Sequence, residues 1–529
     1  MSRKFFSSVF APILFAVALI LSNASDSAGQ TRASQSSGAL RFEVKLARGL
    51  TVAAQTKGRL FVVLSRRREP EPRTTVGETG MDAPVVLARD LERLAPDAVG
   101  LLDASAAIFP LETLSQLPAG EYFVQALFDS NVDLKSVNAP GNLYSDVQSV
   151  RLDASRGATV RLELARRVLP EELPAETEYV KYVRLQSKLL SAFHKRPIYL
   201  RAGIILPRGH ASDRGARYPL RIHIGGYGAR FDGVERMMRA GSEFRRAWEA
   251  TDAPRMILLH LDGDGPFGDP YQVNSDNNGP YGDAITQELI PHVEEKFRAV
   301  GEPYARVLDG GSTGGWVSLA LQIFYPDFFG GAWSFCPDSP DFRAFQLIDI
   351  YADRNAYRNE HGFERPSARD RDGDTRFTIR HECQMENVKG LGDSWTMSGE
   401  QWGAWNAVYG ERDAATGRPR PLWNPQTGEI DRAAVEHWKR YDLRLVLENN
   451  WPKLAPKLRG KLRIWMGDAD SYFLNNGLYL LDDFLSKARP AYEGRITYGR
   501  REGHCWIPLK ERELLDEMTA AIESARPQR

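Results

Sequence analysis

The sequence predicts an α/β fold: a doubly wound, mostly parallel sheet with a large cap insertion, preceded by an all-β sandwich domain. Three observations carry that expectation. From Arg41 to about Ala165, apolar residues recur with period two and are broken only by Gly, Pro and Asp turns. After a Pro- and Glu-rich connector, Leu169 to Lys181, short apolar runs ending in Gly or Asp alternate with helical stretches, the pattern of parallel strands and crossovers. A gap of about 120 residues then interrupts the alternation, far more than a crossover helix needs. At 529 residues the chain is in any case too long for one ordinary core.

The first 28 residues read as an export signal. Arg3 and Lys4 precede the apolar stretch Val9 to Leu21, and small residues ending at Ala24 suit cleavage. The apolar run is shorter than the roughly 20 residues that span a bilayer. A periplasmic or extracellular protein with no membrane contact after cleavage is therefore expected. Residues 38–167 are expected to form the β-sandwich (Ig-like) domain, with Phe42, Val44 and Leu46, then Tyr122, Val124 and Phe128, then Val160, Leu162 and Leu164 on inward faces. Residues 180–527 follow as the α/β domain. Its strands are read in "PLRIHIGG", "RMILLHLDGDG", "YARVLDGGS", "GGAWSFCPD", "KLRIWMGDAD" and "GRITYGRREGH", with a helix in "DAITQELIPHVEEKFRA". The cap, residues 340–457, holds six of the eleven tryptophans; these are expected mostly in a core, with some lining a substrate cleft.

Lysine plus arginine (69) equals aspartate plus glutamate (69), so no net field draws nucleic acid or an anionic surface. Cys336, Cys383 and Cys505 allow at most one internal disulfide, too few for a disulfide framework.

The chemistry is read from the strand ends, where ligands bind in such sheets. Gly310, Ser312 and Gly314 satisfy G-x-S-x-G between a strand and the helical run "WVSLALQIFYPDFF". Glycines there let strand and helix approach while the serine sits exposed on a strained turn at a helix N-terminus. A serine hydroxyl needs a base and an acid. His504 in "REGHCW" follows the last strand; Asp468 and Asp470 end "KLRIWM", and Asp338 is a third candidate acid. The order Ser, Asp, His is that of α/β-hydrolases. "DGDG" at Asp262 and "DRDGDT" at Asp370 read as solvated turns, since the second has His381 where a calcium loop needs its bidentate Glu. "HEC" at His381 lacks the second histidine of a zinc helix. No metal and no cofactor are expected.

"GGSTGG", "GDADSYFLNNG", "GHCW" and "DNNGPYGDAITQELIPHVEEKFR" resemble the putative-esterase family of α/β-hydrolases, which includes esterase D-like, enterochelin-esterase-like, feruloyl and acetylxylan esterases. The resemblance runs from about Tyr199 to Ala525 apart from the insertion. It implies Asp470 as the acid, three residues after Gly467. It also implies an oxyanion hole from the N–H of Thr313 and, because "GGYG" resembles the family's H-G-x-G loop, the N–H of Tyr227. Gly311 and Thr313 stand where the family motif has histidine and methionine. The leading expectation is an exported serine hydrolase cleaving carboxylic esters, carbohydrate-linked or aromatic, through an acyl-enzyme. A serine peptidase or acyltransferase of the same fold shares that nucleophile, and a non-catalytic polysaccharide-binding protein is the reading from another class.

Overall fold

The structure, a computed structural model, describes residues 38–50, 56–95 and 98–528. The expected leader, residues 1–28, lies outside them. Among the described residues no helix is long and apolar enough to cross a membrane.

Nine strands come first: β1 (Arg41–Leu46), β2 (Gly58–Ser65), β3 (Val85–Leu91), β4 (Gly100–Leu102), β5 (Ala107–Phe109), β6 (Gly120–Asp129), β7 (Leu143–Ser145), β8 (Gln148–Leu152) and β9 (Thr159–Arg167). They form one hydrogen-bonded sheet, β4-β1-β9-β7-β6-β2-β3-β5, with β8 on β6. In that order β1 and β2 are four strand spacings apart, about 19 Å in a flat sheet. Yet Phe42 and Val44 of β1 share a buried cluster with Leu60, Val62 and Leu64 of β2. The sheet therefore folds over its own core, as a continuous path rather than two separate sheets. The alternate residues of β2, Phe61 and Val63, face the other way and pack with Met385 and Val388 of the insertion. Burial on both faces explains why Leu60 to Leu64 are apolar in succession instead of alternating. Arg59 reinforces this contact, donating to the Val388 carbonyl at 2.8 Å and to Asp393 at 2.6 Å.

The second sheet has eight strands: β10 (Val180–Ser187), β11 (Ile198–Ile205), β12 (Leu220–Ile224), β13 (Ile257–Leu261), β14 (Arg306–Gly311), β15 (Gly331–Phe335), β16 (Leu462–Gly467) and β17 (Arg495–Gly499), in the order β10-β11-β13-β12-β14-β15-β16-β17. Strands β12 to β17 pair in parallel, and β10 and β11 form an antiparallel edge. The expected connector thus ends sooner than Lys181, because β10 begins at Val180. The helix in "DAITQELIPHVEEKFRA" forms with a π-turn over Ile285–Leu289 before α-helix Ile290–Phe297. Pro291 has no N–H and its ring crowds the preceding turn, which the wider π-turn accommodates.

The insertion leaves after β15 and returns at β16. It carries helices α2 (Ile379–Lys389), α3 (Gln401–Tyr409), α4 (Arg432–Trp438) and α5 (Leu443–Leu458); α1 (Thr313–Phe324) precedes it after β14. All six of its tryptophans are buried, at 4% exposure or less, so none offers a face to solvent. They pack on one another, as in the Trp395–Trp423 stack at 4.7 Å, and belong to the same hydrophobic cluster as the central sheet. The expectation that some would line a cleft is corrected accordingly. The insertion is a fixed wall sharing the domain core, because its aromatic surface has nowhere else to be buried.

A wall and a lid differ in stability. Trp438, fully buried against Phe342, Phe345 and Tyr409, is expected to cost about 3–5 kcal/mol when replaced by alanine, measured by denaturant unfolding. A loss below about 0.5 kcal/mol, typical of surface sites, would mean the insertion is not core.

Candidate active site

Ser312 occupies the turn between β14 and α1 with φ 58° and ψ −123°, a conformation that side chains rarely adopt. The glycines around it have a measurable reason. A Cβ on Gly314 would lie 2.0 Å from the carbonyl oxygen of Ile224 at the end of β12, and one on Gly310 would lie 2.5 Å from the same oxygen. The strained turn is held from below by Arg221 and Asp309, joined by two hydrogen bonds of 2.9 and 2.8 Å. His223 and Glu511 complete that buried group. Burial alone would raise the Asp309 carboxyl, but Arg221 and His223 outweigh it and hold the group well below the usual carboxylate range.

His504 Nε2 lies 3.0 Å from Ser312 Oγ, and its Nδ1 lies 2.7 Å from Asp470 Oδ2. Asp470 is fully buried, and its other oxygen accepts from the amides of Tyr472 and Leu474 at 2.9 and 3.3 Å. The ring of Tyr472 stands edge-on to the imidazole at 5.0 Å. Asp468, two residues earlier, accepts the Arg501 amide at 2.5 Å and so anchors the turn before His504 instead of touching the ring. The strand ends at Gly467, so both aspartates sit in the turn beyond it, where strand alternation no longer holds: Asp470 points to the histidine and Asp468 to its loop. Burial tends to neutralise His504, but hydrogen bonds to Asp470 and Cys505 win and raise its pKa to about 10.

Asp338, the third candidate acid, goes elsewhere. It is buried, which pushes its pKa up to about 6, and it accepts from Tyr271 at 2.6 Å, Trp405 at 3.1 Å and the Thr313 hydroxyl at 3.3 Å. It therefore links the insertion to the first residue of α1. The amide of Thr313 is among those that a helix leaves without an internal partner. The Gly225–Gly228 loop borders the serine: a Cβ on Gly226 would lie 4.0 Å from Ser312 Cβ. Tyr227 in that loop donates its hydroxyl to the Gly399 carbonyl of the insertion at 2.7 Å. A free amide at the first turn of a helix can stabilise a developing negative charge beside it.

Sequence reasoning missed Asp269, which accepts from the amides of Gly228 at 3.1 Å and Tyr271 at 2.9 Å and so fixes the Tyr227 loop. Burial pushes its pKa up to about 8. Nothing local in "GDPY" marks it. The solvated-turn reading of "DGDG" is also corrected: Asp262 is buried, bridging Arg201 at 2.7 Å and Arg230 at 2.6 Å. "DRDGDT" does form an exposed turn closed on Asp370.

This sheet, with its chemistry gathered at the carboxyl edge, is of the α/β-hydrolase type. Residues 199–457 match the family model described as putative esterase, and over them the chain resembles that family of carboxylic ester hydrolases. The match opens at Tyr199 on β11 and stops before β16, so Asp470 and His504 lie beyond it. No curated protein matches the chain. Similar solved structures include fluorophosphonate-binding serine hydrolase F of Staphylococcus aureus (11% identity, TM-score 0.36, covering 65% of this chain and 98% of that one). An S-formylglutathione hydrolase of Agrobacterium tumefaciens has 13% identity and TM-score 0.35, covering 66% and 98%. A ferulic acid esterase of Anaeromyces mucronatus has 13% identity and TM-score 0.32, covering 67% and 93%.

Two glycine variants test the turn. Gly314→Ala would put a methyl 2.0 Å from the Ile224 carbonyl and is expected to lose more than about 2 kcal/mol of stability. Gly226→Ala, whose Cβ meets nothing nearer than 3.9 Å, is expected to unfold like the wild type within about 0.5 kcal/mol. Equal stabilities for Gly314→Ala and wild type would refute the close-approach account.

Proposed function

We propose that this esterase is an exported enzyme that cleaves carboxylic esters by a Ser312–His504–Asp470 triad through an acyl-enzyme. The observation that carries the reading is His504, within hydrogen-bond reach of Ser312 on one nitrogen and of Asp470 on the other. Ser312 Oγ attacks the ester carbonyl while His504 Nε2 takes its proton. Asp470 fixes the tautomer and stabilises the imidazolium. The amides of Thr313 and Tyr227 receive the oxyanion, each worth about 3–4 kcal/mol. The imidazolium returns its proton to the leaving alcohol, and water, deprotonated by the same ring, releases the acid. Tyr227, in the loop beside the serine, and Tyr472, edge-on to the histidine, are both half-buried. These two rings favour an aromatic or carbohydrate-linked ester, since ring faces bind flat apolar groups and sugar faces alike. The export part of the proposal rests on the basic and apolar pattern of residues 1–28.

A fluorophosphonate is expected to give one adduct per chain, on Ser312, and Ser312→Ala to lose both the adduct and hydrolysis of aryl esters while remaining folded. Hydrolysis persisting in purified Ser312→Ala sinks the assignment. Asp470→Asn is expected to lower kcat by about four orders of magnitude, because the ring then settles in the wrong tautomer. Asp468→Asn, which perturbs only the loop, should fall by far less; the reverse ranking moves the acid to Asp468. The base must be neutral, and a raised pKa keeps it charged. With the thiols reduced, kcat/KM is thus expected to rise with pH through the neutral range and to go on rising above pH 8, towards the His504 value of about 10. A profile flat between pH 5 and 9 removes His504 as the base.

A further inference from the structure

Two of the three cysteines meet beside the site. Cys336 directly follows β15 and Cys505 directly follows His504, so chain segments from two different strand ends bring them together. Both hold left-handed backbone, at φ 41° and 58°. Both sulfurs lie 3.7 Å from where a Cβ on Gly311 would stand, and they lie within 4.8 Å of each other and of a ring nitrogen of His504. Cys336 Sγ also accepts the amide of Ser312 at 3.3 Å. Cys336 is buried and Cys505 is open to solvent, so one thiol is shielded and the other is reachable; Cys383 is buried in the insertion.

We propose that Cys336 and Cys505 form a disulfide that switches the histidine of the site, an inference that rests on the proposed triad. The hydrogen bond from Cys336, and then His504, favour the thiolate of Cys505 and bring its pKa down to about 5, whereas burial pushes Cys336 well up. Cys505 is therefore the attacking sulfur. Its thiolate attacks one sulfur of a small-molecule disulfide such as oxidised glutathione, forming a mixed disulfide and expelling one glutathione thiolate. Cys336 gives its proton to solvent and displaces the second glutathione thiolate, forming the Cys336–Cys505 bond. The cysteines lose two electrons, which reduce the glutathione disulfide to two thiols. A rotation of the exposed Cys505 side chain brings the sulfurs to the roughly 2 Å of a bond.

The consequence falls on His504. In the reduced form a thiolate and an imidazolium stabilise each other, so the ring keeps the proton it must lose to act as a base. The disulfide removes that negative charge. What still faces the ring is Asp470 on Nδ1, Ser312 on Nε2, the edge-on ring of Tyr472 and the buried Asp338, with Arg369 Nε held 3.0 Å from the Asp470 carbonyl. Proton affinity falls and more of the ring is neutral at pH 7. The bond also ties the loop that carries His504 to the strand beside the nucleophile's.

The test begins with a thiol count that needs no turnover. Full-length protein equilibrated with oxidised glutathione, then denatured and alkylated with iodoacetamide, is expected to carry one label, on Cys383, and to yield a Cys336–Cys505 cross-linked peptide; dithiothreitol treatment should give three labels. On an aryl ester the oxidised form should have its kcat/KM midpoint at least one pH unit lower than the reduced form, about a tenfold gain on the rising limb. Cys505→Ser should show the lower midpoint in both conditions, and Cys336→Ser should show the higher midpoint after removal of any glutathione adduct. Three labels after oxidised glutathione overturn the proposal. So does an unchanged midpoint in protein shown to be cross-linked, and so does stoichiometric zinc that blocks alkylation until a chelator is added. Failure of the triad would instead appear as hydrolysis retained by Ser312→Ala, with the thiol count unaffected.

Discussion

The backbone contact between the serine turn and β12 is the constraint on which the rest of the site depends. Gly310 and Gly314 press against one carbonyl oxygen, that of Ile224, at distances no side chain permits. That approach forces Ser312 into a left-handed conformation, starts α1 at Thr313 and brings the Gly225–Gly228 loop alongside. A strained turn persists only where its surroundings over-determine it. Here Arg221, Asp309, His223 and Glu511 do so, binding β12, β14 and the helix Glu511–Ala525 together beneath the serine. Buried charges of this kind are costly to desolvate, and removing one partner from such a group costs about 3–5 kcal/mol. The group therefore fixes position more than it adds stability.

Support reaches the site from the other side through a chain of contacts. Phe61 and Val63 of the first sheet pack on Met385 and Val388 of α2. Two acids of the same helix hold α3: Glu382 accepts the Trp402 indole N–H at 2.8 Å, and Glu386 accepts the Trp402 amide at 3.0 Å. On α3, Trp405 reaches Asp338, and Asp338 reaches Thr313. Among the described residues, the hydrogen-bond partners of Ser312, His504 and Asp470 all lie outside the first sheet. That sheet buttresses the insertion, which in turn positions Thr313, the first residue of α1. The cavity of about 280 Å³ between the first sheet and the edge of the second, lined by Leu134, Arg184 and Tyr199 among others, lies away from the serine.

The two cysteines belong to the same geometry. Gly311 has no side chain, and the sulfurs occupy the space that a side chain longer than a methyl would take. A turn built to expose a hydroxyl thus leaves room for a second pair of reactive groups, and His504 is shared between the two chemistries.

Local sequence determined much of this protein. Period-two runs marked the inward residues of the first sheet, and Gly- or Asp-ended apolar runs marked the six parallel strands of the second. The glycines around Ser312 and the position of His504 after the last strand pointed to the candidate site, because turn sterics and strand periodicity are short-range and written in consecutive residues. Tertiary structure alone decided the rest. Asp269 is tied to the Tyr227 loop by the Gly228 amide, 41 residues away, which no spacing reveals. Asp262 left the solvent because Arg201 and Arg230 converge on it. The tryptophans went inward because the insertion had the domain core to share, and Cys336 met Cys505 because β15 and the loop after β17 end on the same side of one sheet. These outcomes depend on distances between segments far apart in the chain, and such distances are set only when the whole core packs.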